Sequence, residues 1–263
     1  MLHARGSFDM SQDPKLVLVT GAGSGIGRAL SIEAAERGMT VILCGRSHET
    51  LVSTAVLLGP TASYLIIPAD ITRPEGRQRI VDRIWREYGR LDILVNNAGI
   101  VEWGPLEKFD DDAIERTMQT NVMAPIALTR DLMTLLLAAR PSLVVNVGSI
   151  FGDTGYPEFT CYSATKFALR GFSIALRREW QDKGIHVTYA APRRRLADAI
   201  ALFAGMSQRT DQELGTPEHI ARQIWRTVVR GHDSVDAPVP EKICAMIQRL
   251  VPRAIGWALS RPR

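Results

Sequence analysis

Residues Lys15 to Gly27 read KLVLVT followed by GAGSGIG. Lys15–Thr20 is a short apolar run of the kind that forms a strand buried on both faces. Glycines at 21, 23, 25 and 27 permit a tight turn, and helical spacing takes over from about Gly25 to Arg37. A strand, a glycine-rich turn and a helix N-terminus in that order can cradle a pyrophosphate, because backbone N–H groups converge there at the positive end of the helix. Gly21, Ser24, Gly25, Ile26 and Gly27 are the candidate contacts. The competing reading is a tight turn that holds no ligand; the flanking strand and helix favour the cradle. No Lys-Ser or Lys-Thr pair follows the glycines, which excludes a nucleotide-triphosphatase loop. The spacing G-x-x-x-G-x-G also differs from the common G-x-G-x-x-G.

Working outward, short β-branched runs alternate with longer helical stretches. Strands are expected at Thr40–Cys44, Tyr64–Ile67, Leu91–Val95, Leu143–Val147 and Ile185–Ala190. Helices are expected at Glu75–Tyr88, Asp111–Ala139, Cys161–Lys183, Pro217–Arg230 and Glu241–Leu259. This alternation predicts an α/β fold: a single-domain, Rossmann-type, doubly wound parallel sheet with helices on both faces. The domain is expected over residues 14–240, after a loose leader at 1–13 in which Met10 is an alternative start. Composition agrees, since 46% apolar and 23% charged residues in 263 suit a globular chain. Three scattered cysteines and five dispersed histidines give neither a disulfide framework nor metal-ligand spacing. With no apolar run long enough to span a bilayer, a cytoplasmic location is expected. The net charge of +4 is uneven: residues 1–176 carry 17 basic and 19 acidic side chains, residues 177–263 carry 15 and 9. So mild an excess argues for no nucleic-acid partner.

Beyond the glycine turn, four segments follow in order: Asp70 after the third strand, Asn96-Asn97-Ala98-Gly99 after the fourth, Asn121 in a helix, and Ser149 with Tyr162-x-x-x-Lys166. Together they resemble the short-chain dehydrogenase/reductase family over roughly Lys15 to Pro192. Tyr162 and Lys166 stand four apart, on one face of a helix. An ammonium beside a phenol favours the phenolate, so the Tyr162 pKa is expected to fall toward working pH and make it a general acid/base. Ser149 closes the fifth strand at the carboxyl edge of the sheet, where its hydroxyl can hydrogen-bond a substrate oxygen. The resemblance implies that Lys166 and Tyr162 also hold the nicotinamide ribose and that Asn121 steadies a proton-relaying water. It further implies that Asp70 and Ile71 meet the adenine, that Asn97, Ala98 and Gly99 line the adenosine side, and that Pro192 borders the cofactor.

Cofactor choice turns on Cys44-Gly45-Arg46-Ser47. No acid is present to bind ribose hydroxyls, and Arg46 offers a charged fork suited to a 2′-phosphate, so NADP(H) is expected over NAD(H). The implied reaction moves a hydride between nicotinamide and a ketone or secondary alcohol, within a homo-oligomer. The chain departs from the family at Pro192-Arg193-Arg194-Arg195-Leu196-Ala197, where the usual Gly and Thr are missing. That departure keeps open an NADP(H)-binding regulatory or interaction protein with impaired turnover. A lid is expected over about 193–215; its apolar Leu196–Met206, with Phe151, Tyr156 and Phe159, points to a lipophilic substrate. At 241–263, Ile243, Ile247, Leu250, Val251, Ile255 and Leu259 recur at helical spacing among arginines. That stripe suits a peripheral membrane contact, or packing on its own domain or a sister subunit.

Overall fold

The computed structural model describes residues 15–191 and 216–229. Six parallel strands form one sheet: β1 (Leu16–Thr20), β2 (Thr40–Gly45), β3 (Tyr64–Pro68), β4 (Ile93–Asn96), β5 (Ser142–Val147) and β6 (Ile185–Ala190). Their order is β3-β2-β1-β4-β5-β6, the doubly wound arrangement expected. The order reverses between β1 and β4, so the carboxyl ends of these two strands open the crevice where such folds bind ligands.

Side chains alternate across the sheet as the strand period of two requires. Val17, Val19, Val41, Leu43, Ile93 and Val95 face one layer, with α1 (Gly25–Glu36) and α2 (His48–Leu57). Leu16, Leu18, Ile42 and Leu94 face the other, where they meet Ile80 and Ile84 of α3 (Pro74–Tyr88). The element α2 has no counterpart among the expected helices. Its apolar residues follow no clear stripe, but Ser47 at its N-cap, accepting from the Thr50 N–H at 3.4 Å, and Glu49 in its first turn are readable start signals.

The single helix expected over Asp111–Ala139 is instead three: α4 (Asp111–Met118), α5 (Ala124–Asp131) and α6 (Met133–Ala138). A π-helical turn, Gln119–Met123, joins the first two and carries Asn121. The long helix α7 (Thr160–Glu179) stops short of Lys183, the chain passing into a 3-10 turn and Gly184 at φ 70°. Finally α8 (Pro217–Val229) packs on α1, its Trp225 fully buried and donating its indole N–H to the Leu30 carbonyl at 3.0 Å. The leader, Pro192 with the arginine triplet, the lid segment and the 241–263 helix lie outside the described residues.

Among the described residues no helix is long and apolar enough to cross a membrane, and no group of three or more His, Cys, Asp or Glu could hold a metal ion. Cys44 and Cys161 are free thiols.

Candidate active site

Two sets of residues meet at the carboxyl edge of the sheet. The first surrounds the glycine turn. Gly21 takes φ 68°, in the left-handed region, and a Cβ at Gly27 would overlap the Gly21 carbonyl. The turn can therefore close only with glycine at position 27. Ser24 caps α1 in extended backbone, but its side chain makes no cap bond and the first turn carries no acid. The leading N–H groups of α1 thus face the cavity without a side chain of the chain's own to satisfy them.

Several partners of this loop lay beyond sequence reasoning. Thr20 Oγ1 accepts from the Asn97 and Ala98 N–H groups, both at 3.0 Å, and the Asn97 side chain donates to the Thr20 carbonyl at 2.9 Å. These bonds tie the β1 loop to the β4 loop. Arg28 reaches back to the Gly23 carbonyl at 2.6 Å and to Thr54 at 3.1 Å, while Thr54 donates to the Ala22 carbonyl at 2.9 Å. A Thr and an Arg beside a glycine turn are the only linear traces of this clamp.

The loops enclose a cavity of about 450 Å³ lined by Gly21, Ser24–Gly27, Arg46, Asp70, Ile71 and Asn97–Gly99, among others. Every expected cofactor residue is on this wall except Tyr162 and Lys166, which belong to the second set, and Pro192, which lies outside the described residues. Burial alone would raise the Asp70 carboxyl; hydrogen bonds from the Thr72 hydroxyl and amide, with Arg46 and Arg73 nearby, outweigh it and hold it below the usual range. The donors around the turn and the Arg46 guanidinium suit the phosphates of a dinucleotide, so the cavity fits the implied cofactor.

In the second set Tyr162 and Lys166 are buried near the start of α7, and the half-buried Ser149 lies just past β5. The Ser149 side chain hydrogen-bonds the Tyr162 hydroxyl. Lys166 donates from Nζ to the Val147 carbonyl at 3.1 Å, and its ammonium lies 5.6 Å from the centre of the Tyr162 ring. The expected depression of the Tyr162 pKa is not what this arrangement produces. Burial pushes the phenol up to about 12 against the partial relief of the Ser149 bond, and burial lowers Lys166 to about 8. Desolvation exceeds the attraction because both charged forms are cut off from water while the ammonium points at a carbonyl.

The Asn121 side chain is engaged on both its oxygen and its nitrogen. Its side-chain oxygen accepts from the Ile100 N–H at 2.8 Å, and its nitrogen donates to the Ile100 carbonyl at 2.8 Å and to Thr165 Oγ1 at 3.2 Å. It pins the β4 loop, and with it the Gly99–Ile100 end of the cavity, to α7 between Tyr162 and Lys166. Phe151 is fully buried, its ring centre 4.8 Å from that of Phe159 and 5.6 Å, edge to face, from that of Tyr162. These aromatic residues form a wall behind Tyr162 and do not present an open surface to a substrate.

Residues 15–198 match the family model for short chain dehydrogenase. The chain belongs to the short-chain dehydrogenase/reductase family. Within it, the 3-oxoacyl-(acyl-carrier-protein) reductase of Haemophilus influenzae is 34% identical over 178 residues, 68% of this chain and 73% of that protein. The Pseudomonas aeruginosa RhlG/NADP active-site complex superposes with a TM-score of 0.74 at 29% identity, over 86% of this chain and 94% of that one. A short-chain dehydrogenase/reductase from Burkholderia phymatum in complex with NAD reaches 0.81 at 18% identity, over 95% and 98%, and shows the shared fold. As a short-chain dehydrogenase/reductase the chain is an oxidoreductase.

Proposed function

We propose that the protein reversibly transfers a hydride between a nicotinamide cofactor, NADP(H) in preference to NAD(H), and a ketone or secondary alcohol. The observation that carries this reading is the convergence of Ser149, Tyr162 and Lys166 beside the glycine-turn cavity. A bound nicotinamide would supply or accept the hydride. Gly21, Ser24–Gly27, Arg46, Asp70, Ile71, Asn97–Gly99 and Pro192 would hold the cofactor, with Tyr162 and Lys166 at its ribose. In the reducing direction Tyr162 gives its hydroxyl proton to the carbonyl oxygen, and Ser149 hydrogen-bonds that oxygen as charge develops. The Lys166 ammonium stabilises the phenolate left behind. Asn121 acts through the Ile100 and Thr165 bonds that keep the cavity in register with α7.

Preference for NADP(H) is supported by Arg46 on the cavity wall and by the lack of an acid at the end of β2. Family structures exist with either nucleotide, RhlG with NADP and the Burkholderia protein with NAD. A lipophilic substrate is supported by the half-buried Val101, Ile150 and Tyr156 packed around the Phe151–Tyr162 cluster. Homo-oligomer formation is supported by exposed Met123, Ile126, Phe167 and Ile174, and cytoplasmic placement by the family.

The deciding experiment is a fluorescence titration of NADPH against NADH. Wild type binds NADPH more tightly, and Arg46→Ala weakens NADPH on the order of tenfold to a hundredfold, the worth of a charge-assisted hydrogen bond, with little change for NADH. Equal affinities untouched by the substitution would sink the NADP(H) preference.

A further inference from the structure

Tyr189, the penultimate residue of β6, is buried, its ring packed with Leu169, Phe172 and Ala191. Its hydroxyl stands between two main-chain segments. It accepts from the Ser149 N–H at 3.4 Å and can donate its one proton to the carbonyl of Ser149, at 3.5 Å, or of Lys166, at 3.4 Å. The turn around Ser149 is shaped to this ring. A Cβ on Gly148 would overlap the Tyr189 ring and hydroxyl. One on Gly152 would overlap the hydroxyl and stand 2.9 Å from the Lys166 carbonyl. The ion pair of Asp153 with Arg170, joining the same turn to α7, is close enough to act on the hydroxyl.

Each of these hydrogen bonds is long, so each contributes little stability. Their common effect is geometric: one oxygen fixes the spacing between the main chains from which Ser149 and Lys166 arise. Misplacement of a catalytic group by one ångström can cost on the order of a hundredfold in rate. We propose that Tyr189 is a positioning residue for the hydride-transfer reaction: its hydroxyl holds the Ser149 main chain against that of Lys166 and so sets the approach of the Ser149 side chain to the Tyr162 phenol. The proposal rests on the oxidoreductase reading above.

The test follows NADPH oxidation by the full-length protein with phenanthrenequinone, acetophenone and ethyl acetoacetate as probes. Tyr189→Phe keeps the ring and removes the oxygen. It lowers kcat on the order of tenfold while KM, NADPH affinity and the melting temperature hold within about twofold or a few degrees. Gly152→Ala alone lowers kcat further, and Tyr189→Phe combined with Gly152→Ala regains part of that loss, because the oxygen met by the new methyl is gone. Gly148→Ala gains nothing from Tyr189→Phe, since the ring remains in its way. Wild-type kcat in Tyr189→Phe, or a loss of kcat that only follows a loss of folded protein, overturns the positioning role and leaves the oxidoreductase reading standing. Failure of wild type to oxidise NADPH with any of the three probes overturns that reading, and the positioning role with it.

Discussion

Tyr162 and Lys166 share a buried corner yet titrate away from each other, and the sign of each shift has a consequence. Tyr162, held up to about 12, keeps its proton throughout the neutral range and is ready to donate it. Ketone reduction is therefore expected to hold level from about pH 6 to 7.5, with alcohol oxidation rising toward alkaline pH, as initial rates in both directions would show. Lys166 is lowered from 10.5 to about 8 by burial, so between those values the unfolded chain holds a proton that the folded chain lacks, and folding gains stability as pH rises. In the ligand-free protein, the stability of wild type relative to Lys166→Met should therefore rise between about pH 8 and pH 10.5 and stay level below that range, as denaturant melts would show. Tyr162→Phe should lose on the order of a hundredfold to ten-thousandfold in kcat but only up to about tenfold in NADPH affinity, the worth of one hydroxyl at the ribose, so that chemistry suffers far more than cofactor binding. Tyr162 and Lys166, as an i, i+4 pair, and Ser149, close after a strand end, were legible in the sequence because these are local features. The direction of the Tyr162 shift was not, because it depends on how deeply Phe151 and its neighbours bury the ring.

At the scale of the element, the decisive unit is the strand–turn–helix from β1 into α1. Gly27→Ala drives a methyl into the Gly21 carbonyl, and overpacking of this kind costs about 1–3 kcal/mol. The variant should therefore show a lowered unfolding midpoint together with loss of NADPH binding by titration. The turn could be read from linear order, since each glycine lies within a few residues of the next. The π turn at Gln119–Met123 could not, because the apolar spacing runs through Asp111–Ala139 with no marked break before Pro125. What singles out that turn is Asn121 bonding to Ile100, 21 residues away, a long-range contact with no periodic signature. The clamp of Arg28 and Thr54 is hidden for the same reason, and α2 lacks an apolar stripe although Ser47 and Glu49 mark its start.

For the whole molecule, alternation of strand and helix was enough to give the parallel sheet, because parallel strands need crossovers and those crossovers are helices. What alternation does not reveal is which late helix completes which early layer. Trp225 of α8 does so for the α1 layer, fully buried and bonded to Leu30. Trp225→Ala should destabilise the fold by about 3–5 kcal/mol in equilibrium unfolding, with the lost indole bond included. Leu30 and Trp225 are 195 residues apart in the chain. During synthesis, then, the nucleotide cradle, Ser149, Tyr162 and Lys166 all leave the ribosome before the ring that covers the back of α1. For that interval the nascent chain carries its reacting groups without the ring that covers the back of α1, and apolar surface left open in this way is what makes partly folded chains prone to aggregate.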